Sequence, residues 1–159
     1  MTAKYQNVAI VSEKYSYLKV LCDSGFAVAV HIRFTRPSLL FRTYPASWID
    51  HYNEQGFMLV DPTVRWGLTH VGRIEWQSLV DEDNDGVLRA AQDFGLANGW
   101  TYATGPSTSR SLGSMTRTTP FTPEQQDAVC SIIDDIHALT EGFDQMPPET
   151  QEAFRGIGR

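Results

Sequence analysis

The chain has 159 residues, the size of one domain, and its composition, with 42% hydrophobic and 20% charged residues, is ordinary for a globular protein. Its net charge of -6 argues against a nucleic-acid surface, because phosphate binding needs a clustered basic face. The first residues, MTAKYQNVAI, lack the apolar segment of a signal peptide. No apolar run approaches the roughly 20 residues that a membrane helix needs. We therefore expect a cytoplasmic protein that does not contact a membrane.

The N-terminal part of the chain predicts a helix followed by a β-hairpin. Apolar residues recur at helical spacing up to Ser24-Gly25, where the glycine favours the end of the helix. Residues 26–34 (FAVAVHIRF) are β-branched and aromatic and predict a strand. Arg36-Pro37-Ser38 is expected to be a turn. Residues 39–44 then form a second strand, antiparallel to the first because the connection is short.

Two helix starts are predicted in the middle of the chain. Pro45 suits the first turn of a helix that ends at Gly56. Asp61-Pro62 has a similar form, an N-cap aspartate followed by a proline at the first helical position. An acidic loop over residues 81–85 precedes another helix, with apolar residues from Val87 to Phe94.

The C-terminal half predicts a second hairpin and a long helix. Residues 100–104 and 112–118 have the pattern of paired strands. Thr122-Pro123-Glu124 opens a helix whose apolar stripe runs from Val129 to Leu139. Because the strand connections are short and none needs a parallel crossover, the sequence predicts an α+β fold with helices on the faces of an antiparallel sheet.

Signatures of catalysis and of metal binding are missing from the sequence, and no cofactor is expected. It has no GxSxG elbow, P-loop, GxGxxG or CxxC, and its histidines lack HxxxH and HExxH spacing. Cys22 and Cys130 are expected to be buried free thiols. Residues 81–86 (DEDNDG) match half of a calcium loop, but Gln92 occupies the position of its closing glutamate. This segment is therefore better explained as an acidic loop at a helix N-terminus.

Aromatic and polar residues are concentrated between positions 44 and 76. Tyr44, Trp48 and Tyr52 are spaced at i, i+4 and i+8, which would stack three amphipathic side chains on one helical face. Three further candidates follow: Asp61, Thr63 and Trp76. Together they offer donors, a carboxylate and aromatic surface, which suits a mostly apolar ligand pocket. Spacing alone leaves the other explanation open, a plain aromatic core with the aspartate as an N-cap.

These residues resemble the autoinducer-binding domain of LuxR-type quorum-sensing transcription regulators. The match consists of Tyr44, Pro45, Trp48, Tyr52, Asp61-Pro62 and Trp76, in order and spacing. The resemblance is closest to members that bind long-chain 3-oxoacyl-homoserine lactones, so it implies an N-acyl-homoserine lactone ligand. It also implies an α/β/α sandwich with a five-stranded antiparallel sheet between helical layers, a sensor-like fold related to GAF and PAS domains.

The resemblance implies a role for each candidate residue. Trp48 would donate its indole N–H to the lactone carbonyl, and Asp61 would accept the amide N–H of the ligand. Tyr44 would donate to the acyl carbonyl, sharing that role with Thr116. Tyr52 and Trp76 would form apolar walls, Thr63 would sit beside Asp61 and help to satisfy it, and Thr101 would line the pocket or support a residue that does. Trp66, a bulky residue after the Asp-Pro turn, is expected to narrow or reshape the acyl tunnel.

The family also has a C-terminal helix-turn-helix domain. We expect residues 1–143 to be the autoinducer-binding domain, and residues 144–159 to be a linker with the start of a missing DNA-binding domain. The implied partners are the autoinducer and a second copy in a homodimer, with DNA contacted only through the missing domain. Alternatives are a natural short form that silences a full-length partner, and a sensor of a different acylated molecule. An enzyme is disfavoured because no nucleophile with a base is evident.

Overall fold

Helices cover both faces of a sheet whose five strands are distributed along the chain. The computed structural model describes the backbone of residues 3–159 and the side chains from residue 5; residues 1 and 2 of the predicted domain 1–143 lie outside the described residues. The helices are α1 Ala3–Leu21, α2 Ala46–Glu54, α3 Pro62–Thr69, α4 Val87–Asp93, α5 Pro123–Leu139 and α6 Pro148–Gly156. The strands are β1 Gly25–Arg33, β2 Arg36–Arg42, β3 Gly72–Glu75, β4 Trp100–Thr104 and β5 Arg110–Thr116. Short 3₁₀ helices lie at Phe57–Leu59, Trp76–Glu82 and Phe143–Gln145.

The five strands form one antiparallel sheet in the order β2-β1-β5-β4-β3. This order places β5 at the centre with β1 and β4 on either side, and Ala27 of β1 lies opposite both Arg42 of β2 and Ser114 of β5. The predicted α+β fold, with the sheet between helical layers, is confirmed. At the edge of the sheet opposite to β2 lies β3, which has only four residues.

The hairpin of β1 and β2 is tighter than predicted. The turn expected at Arg36-Pro37-Ser38 is wrong, because these residues already belong to β2 and Pro37 lies opposite Ile32. A proline is tolerated here because β2 is an edge strand, where a missing backbone N–H removes no bond from the interior of the sheet.

The main core lies between the sheet and the layer of α1, α5 and α6. Phe26, Val28 and Met115 project from the sheet and are buried against Ile133 and Ile136 of α5. A capping box fixes the start of α5, with the Thr122 hydroxyl accepting from the Gln125 N–H and the Gln125 side chain accepting in return. Cys22 and Cys130 are free and buried, as predicted, and burial raises the pKa of the Cys22 thiol to about 12.

The last helix, α6, packs on the same core. Phe154 of α6 is fully buried and meets the Phe143 ring edge-on at 6.1 Å. The Gln151 side-chain amide donates to the Phe143 and Met146 carbonyls and so holds the connection to α6. The predicted division between residues 143 and 144 therefore falls inside a packed region, and the assignment of residues 144–159 to a linker stays a prediction. Within residues 3–159, no helix is long and apolar enough to cross a membrane.

Candidate functional site

An aromatic face of α2 points into the space between the sheet and the layer of α2, α3 and α4. Trp48 is only 5% exposed, and its ring lies 5.8 Å from Tyr52 and 5.3 Å from Phe94. The expected helical stack of three residues is wrong in one respect: α2 begins after its N-cap, Pro45, so Tyr44 precedes the helix. Tyr44 nevertheless faces the same space, beside β5.

Asp61 is a buried carboxylate with three hydrogen bonds. It is the N-cap of α3, and one of its oxygens, Oδ1, accepts from the Thr63 N–H at 2.8 Å and from the Thr63 hydroxyl at 2.7 Å. The other oxygen, Oδ2, accepts from the Tyr52 hydroxyl at 2.8 Å. Tyr52, expected to be an apolar wall, therefore also supports the carboxylate. The sequence pattern identified Tyr52 as a site residue but did not reveal its hydrogen bond to Asp61.

Burial dominates the electrostatics of this cluster. It raises the pKa of Asp61, although the hydrogen bonds from Thr63 and Tyr52 act in the opposite direction. Burial, followed by the charge of Asp61, also raises the pKa values of Tyr44 and Tyr52, so both phenols remain hydrogen-bond donors at neutral pH. A carboxylate in these surroundings gains from any further donor that reaches it.

A second group of hydrogen-bonded side chains lies on the sheet, separate from the bonds around Asp61. The Trp76 indole N–H donates to the Thr101 hydroxyl at 3.1 Å, and the Thr101 and Ser114 hydroxyls are 2.7 Å apart. The Tyr44 hydroxyl donates to the Ser114 carbonyl at 3.1 Å. Gly99 makes room for this arrangement, since a Cβ there would lie 2.1 Å from the Trp76 ring.

These side chains line a cavity of about 250 Å³. Its floor is the sheet, at Ala27, Ala29, Leu112 and Ser114, and its roof is formed by α2, α3 and α4. Its mouth opens at the β2 edge, where Leu40 and Arg42 face Asn53 and Met58, all of them exposed. Most of the lining is apolar, and the polar groups are concentrated around Asp61 and Ser114, as in many ligand pockets.

Six of the eight predicted site residues line this cavity: Tyr44, Trp48, Tyr52, Asp61, Thr63 and Trp76. Thr101 does not line it but holds the Trp76 indole from behind. Thr116 does not line it either, since its buried hydroxyl donates to the Gly25 carbonyl at 2.8 Å. Trp66, expected to narrow the tunnel, stacks on His70 with ring centroids 5.2 Å apart and lies outside the cavity lining.

Sequence reasoning missed the cavity floor. Ser114 lies two residues before Thr116 on the same strand face, and residue type alone does not say which of these two hydroxyls reaches the cavity. Ala27 and Ala29 alternate with Phe26, Val28 and Val30 along β1. That alternation of small and large side chains is a visible signal for a strand with a cavity on one face and a core on the other.

The acidic loop has the structural role that its sequence favours. Asp83 accepts from the N–H groups of Val87 and Leu88 at 2.8 and 2.9 Å, and thus caps the start of α4. This capping orients the helix that carries Val87, Leu88 and Ala91 over the cavity.

A mostly apolar cavity with a few convergent polar groups, open at one edge under a helical layer of an antiparallel sheet, has the character of a small-molecule binding site. A family model described as the autoinducer-binding domain matches residues 19–143. The chain belongs to this family, the ligand-binding domains of LuxR-type quorum-sensing regulators, which confirms the resemblance seen in the sequence.

Individual relatives agree with this assignment. The chain is 35% identical over 72 residues to the transcriptional activator protein SolR of Ralstonia nicotianae, a match that spans 45% of this chain and 30% of SolR. A structure of SdiA in complex with octanoyl-rac-glycerol has a TM-score of 0.63 at 18% identity, over 93% of this chain and 64% of SdiA. CepR2 from Burkholderia cenocepacia, described as N-acylhomoserine lactone dependent, has a TM-score of 0.55 at 11% identity, over 86% of this chain and 95% of CepR2. The two structural similarities concern the fold.

Proposed function

We propose that this domain is a receptor that binds an N-acyl-homoserine lactone without chemical change in the cavity between the sheet and α2–α4. The observation that carries the proposal is that a hydrogen-bond donor, the Trp48 indole, and an acceptor, the Asp61 carboxylate, belong to residues that line the same mostly apolar cavity. The Trp48 indole N–H has no hydrogen-bond acceptor among the described residues, and the buried Asp61 carboxylate lines the cavity while it accepts from Thr63 and Tyr52. A lactone carbonyl would accept from the indole N–H, and an amide N–H would add a fourth donor to the carboxylate, whose two oxygens offer about four acceptor sites.

The head group of the ligand would lie between Trp48 and Asp61. The amide N–H would donate to the carboxylate, a charge-assisted bond that typically contributes about 1.5–3 kcal/mol. Such a donor favours the charged form of Asp61, so binding lowers the raised pKa of that carboxyl. Thr63 and Tyr52 keep the carboxylate oriented while the ligand binds.

The acyl carbonyl requires a different donor from the one that the resemblance implied. A phenol has one hydrogen, and that of Tyr44 is directed at the Ser114 carbonyl. The Trp76 N–H occupies an acceptor site of Thr101, and Thr101 in turn can donate to Ser114. This order leaves the Ser114 hydrogen available to the acyl carbonyl, so Ser114 takes the donor role that the resemblance implied for Tyr44 and Thr116.

The acyl chain would run along the floor from Ser114 past Ala27 and Ala29 to the mouth at Leu40. Each methylene buried there contributes roughly 0.8 kcal/mol. The two alanines leave the depth that the chain needs. A longer chain emerges at the exposed edge of β2, so affinity is expected to rise with length and then level off.

A sensor of another acylated small molecule is the second candidate. It is supported by the similar fold of SdiA, whose structure holds octanoyl-rac-glycerol. Glycerol hydroxyls are also donors to a carboxylate, so Asp61 alone does not choose between the two ligands. The lactone carbonyl, as an acceptor for Trp48, favours the homoserine lactone.

The test is a thermal-shift series with homoserine lactones of increasing acyl length, together with octanoylglycerol. Ligand binding raises the melting temperature by mass action, so a rise that peaks or levels at one acyl length is expected. Ring-opened octanoyl-homoserine, which brings a second carboxylate near Asp61, is the matched control and should give no shift. A flat response to every lactone would contradict the proposal, and a response to octanoylglycerol alone would favour the second candidate. Cleaved lactone after incubation would indicate an enzyme.

We further propose that the domain controls dimerisation and DNA binding in a longer regulator, as the activator SolR and its relatives suggest. The measurable part in this chain is self-association. Light scattering should detect a homodimer in the presence of octanoyl-homoserine lactone, whereas a monomer at all protein concentrations would contradict this part.

A further inference from the structure

A polar cluster lies beside α5, away from the ligand cavity. His31 of β1 and His137 of α5 have ring centroids 4.2 Å apart at an interplanar angle of 30°. His31 is buried, and a separate cavity of about 160 Å³ opens next to both rings. Neither histidine lines the proposed ligand site.

The hydrogen bonds of this cluster can all be made with both rings uncharged. The Ser111 hydroxyl accepts from the His31 backbone N–H at 3.1 Å, so its one hydrogen is free to donate to His137 Nδ1, 2.6 Å away. The His137 carbonyl accepts from His31 Nε2 at 2.9 Å, so that nitrogen carries a hydrogen. His31 Nδ1 then accepts from the Ser109 hydroxyl at 2.7 Å. Every bond is satisfied with both imidazoles neutral.

The same bonds hold an irregular point of β1. The register between β1 and β5 shifts between Ala29, opposite Leu112, and Ile32, opposite Arg110. This is a β-bulge, and His31 within it has a left-handed φ of 52°, which few non-glycine residues adopt. The backbone N–H of His31 bonds to the Ser111 side chain instead of to a strand partner. The histidine cluster therefore replaces the missing ladder bond.

The two residues that flank the bulge belong to the ligand cavity. Ala29 and Ile32 both line it, on the sheet face opposite to the one that Ser111 and His137 contact. A shift of the bulge moves these two side chains relative to Leu112 and Leu40. The shape of the cavity floor thus depends on a cluster that the ligand does not touch.

We propose that His31 and His137 are positioning residues for the ligand cavity, and that their uncharged, hydrogen-bonded pair holds the β1 bulge so that acidification weakens ligand binding. The binding part rests on the proposed function. Protonation of His137 Nδ1 removes the acceptor of the Ser111 hydrogen and places a cation beside the His31 ring, whose centroid is 4.2 Å away. This change loosens the bulge.

The charges around the pair come from three segments. Asp134 and Glu141 lie along and just after α5, and Asp144 lies in the following 3₁₀ helix, where it faces Arg33 of β1 at 3.9 Å. From the β4–β5 loop and β5, only the hydroxyls of Ser109 and Ser111 reach the rings. Burial, followed by His31, lowers the pKa of His137, while Glu141 and Asp134 act to raise it. Because the folded pKa of His137 lies below the ordinary value of 6.5, the contribution of this residue to stability is fully present above pH 6.5 and is lost as the pH falls below it.

The experiment compares three proteins: the unchanged chain, His137→Asn and His70→Asn. Asparagine keeps an acceptor near the position of Nδ1 but does not titrate. His70 is the matched control, an exposed histidine stacked on Trp66 outside the cluster. Affinity for octanoyl-homoserine lactone is measured at pH 7.5 and 5.5, and urea unfolding of the ligand-free proteins over the same range.

We expect the affinity of the unchanged chain and of His70→Asn to fall about threefold or more between pH 7.5 and 5.5, and that of His137→Asn to fall clearly less. Any contribution from Asp61 is common to all three proteins and cancels. Superimposable profiles for the unchanged chain and His137→Asn would overturn the proposal. If no lactone binds at any pH, the proposed function fails. The unfolding profiles then decide separately whether the pair of His31 and His137 stabilises the β1 bulge.

Histidine NMR on the unchanged chain keeps the inference testable even if His137→Asn does not fold. Both rings should carry their hydrogen on Nε2 at pH 7.5, with Nδ1 unprotonated. A charged ring, or an Nδ1–H tautomer for either residue, would overturn the proposal.

Discussion

The two faces of the sheet differ in the size of the side chains that one strand presents to them. Along β1, Phe26, Val28 and Val30 fill the core under α1 and α5, whereas Ala27 and Ala29 face α2–α4 and leave a cavity. The core face is held by apolar burial. On the cavity face, buried polar groups such as Asp61 are hydrogen-bonded to neighbouring side chains and also line the cavity. Stability and ligand binding therefore depend on opposite faces, so substitutions should separate the two properties.

The largest effect on stability is expected from the core face. Phe26→Ala removes a fully buried ring that packs edge-on against Tyr15 at 5.8 Å. It should lower the free energy of unfolding by about 3–5 kcal/mol. Affinity for octanoyl-homoserine lactone, measured under conditions in which the protein stays folded, should change little. A loss of affinity as large as the loss of stability would show that the faces are not independent.

Asp61→Asn should have the opposite pattern. Asparagine is also a good N-cap, so α3 keeps its start, but the charge-assisted bond to the ligand amide is lost. We expect a decrease in affinity of more than tenfold, measured by calorimetry. The ligand-free variant should be no less stable than the unchanged chain at neutral pH, because a desolvated charge has been removed.

The pH dependence of the free energy of unfolding tests whether Asp61 is buried on the cavity face. The folded pKa of Asp61 is raised, so the folded state holds the proton more tightly than the unfolded chain does. The contribution of this group to stability is therefore lost as the pH rises from the ordinary carboxyl value of 3.8 through the raised pKa. Asp61→Asn should remove this part of the profile, and an unchanged profile would contradict the assignment.

Ala29→Leu should fill part of the ligand cavity with a larger apolar side chain. The added methyl groups occupy space on the floor between Leu40 and Leu112. Ligands with long acyl chains should lose roughly 0.8 kcal/mol per displaced methylene, so the best chain length becomes shorter. Ala97→Leu, at an exposed position outside the cavity, is the control. A chain-length preference that is identical in both variants would contradict the proposed path of the acyl chain.

The smallest effects should distinguish two neighbouring hydroxyls on β5. Ser114→Ala, at the cavity, should weaken ligand binding by a few-fold with little change in stability. Thr116→Val should leave affinity unchanged and reduce stability by about 1 kcal/mol, because it removes the bond to the Gly25 carbonyl. Calorimetry and urea unfolding on both variants make the comparison, and a larger binding effect at Thr116 would restore the role first assigned to it.

Much of the fold was predictable, because short connections between β-patterned segments allow few arrangements other than an antiparallel sheet. The aromatic and acidic residues from Tyr44 to Trp76 were predictable as well, since their side chains are rare and regularly spaced. What local pattern could not supply was pairing across the sheet. β3 is only four residues long, and the choice between Ser114 and Thr116 depends on where each lies along the strand and not on residue type. The bond from Tyr52 to Asp61 likewise required the distance between two helices.

The most direct test of the account is the Trp48→Phe variant, which keeps a ring in the aromatic cluster and removes only the N–H. Calorimetry would use octanoyl-homoserine lactone and N-octanoyl-cyclopentylamine, an amide that lacks the lactone carbonyl. We expect a loss of about 1–3 kcal/mol, roughly 5- to 150-fold, for the lactone and almost none for the cyclopentyl amide. Equal affinity of the unchanged chain and Trp48→Phe for the lactone would make Trp48 a core residue and would contradict the proposed site.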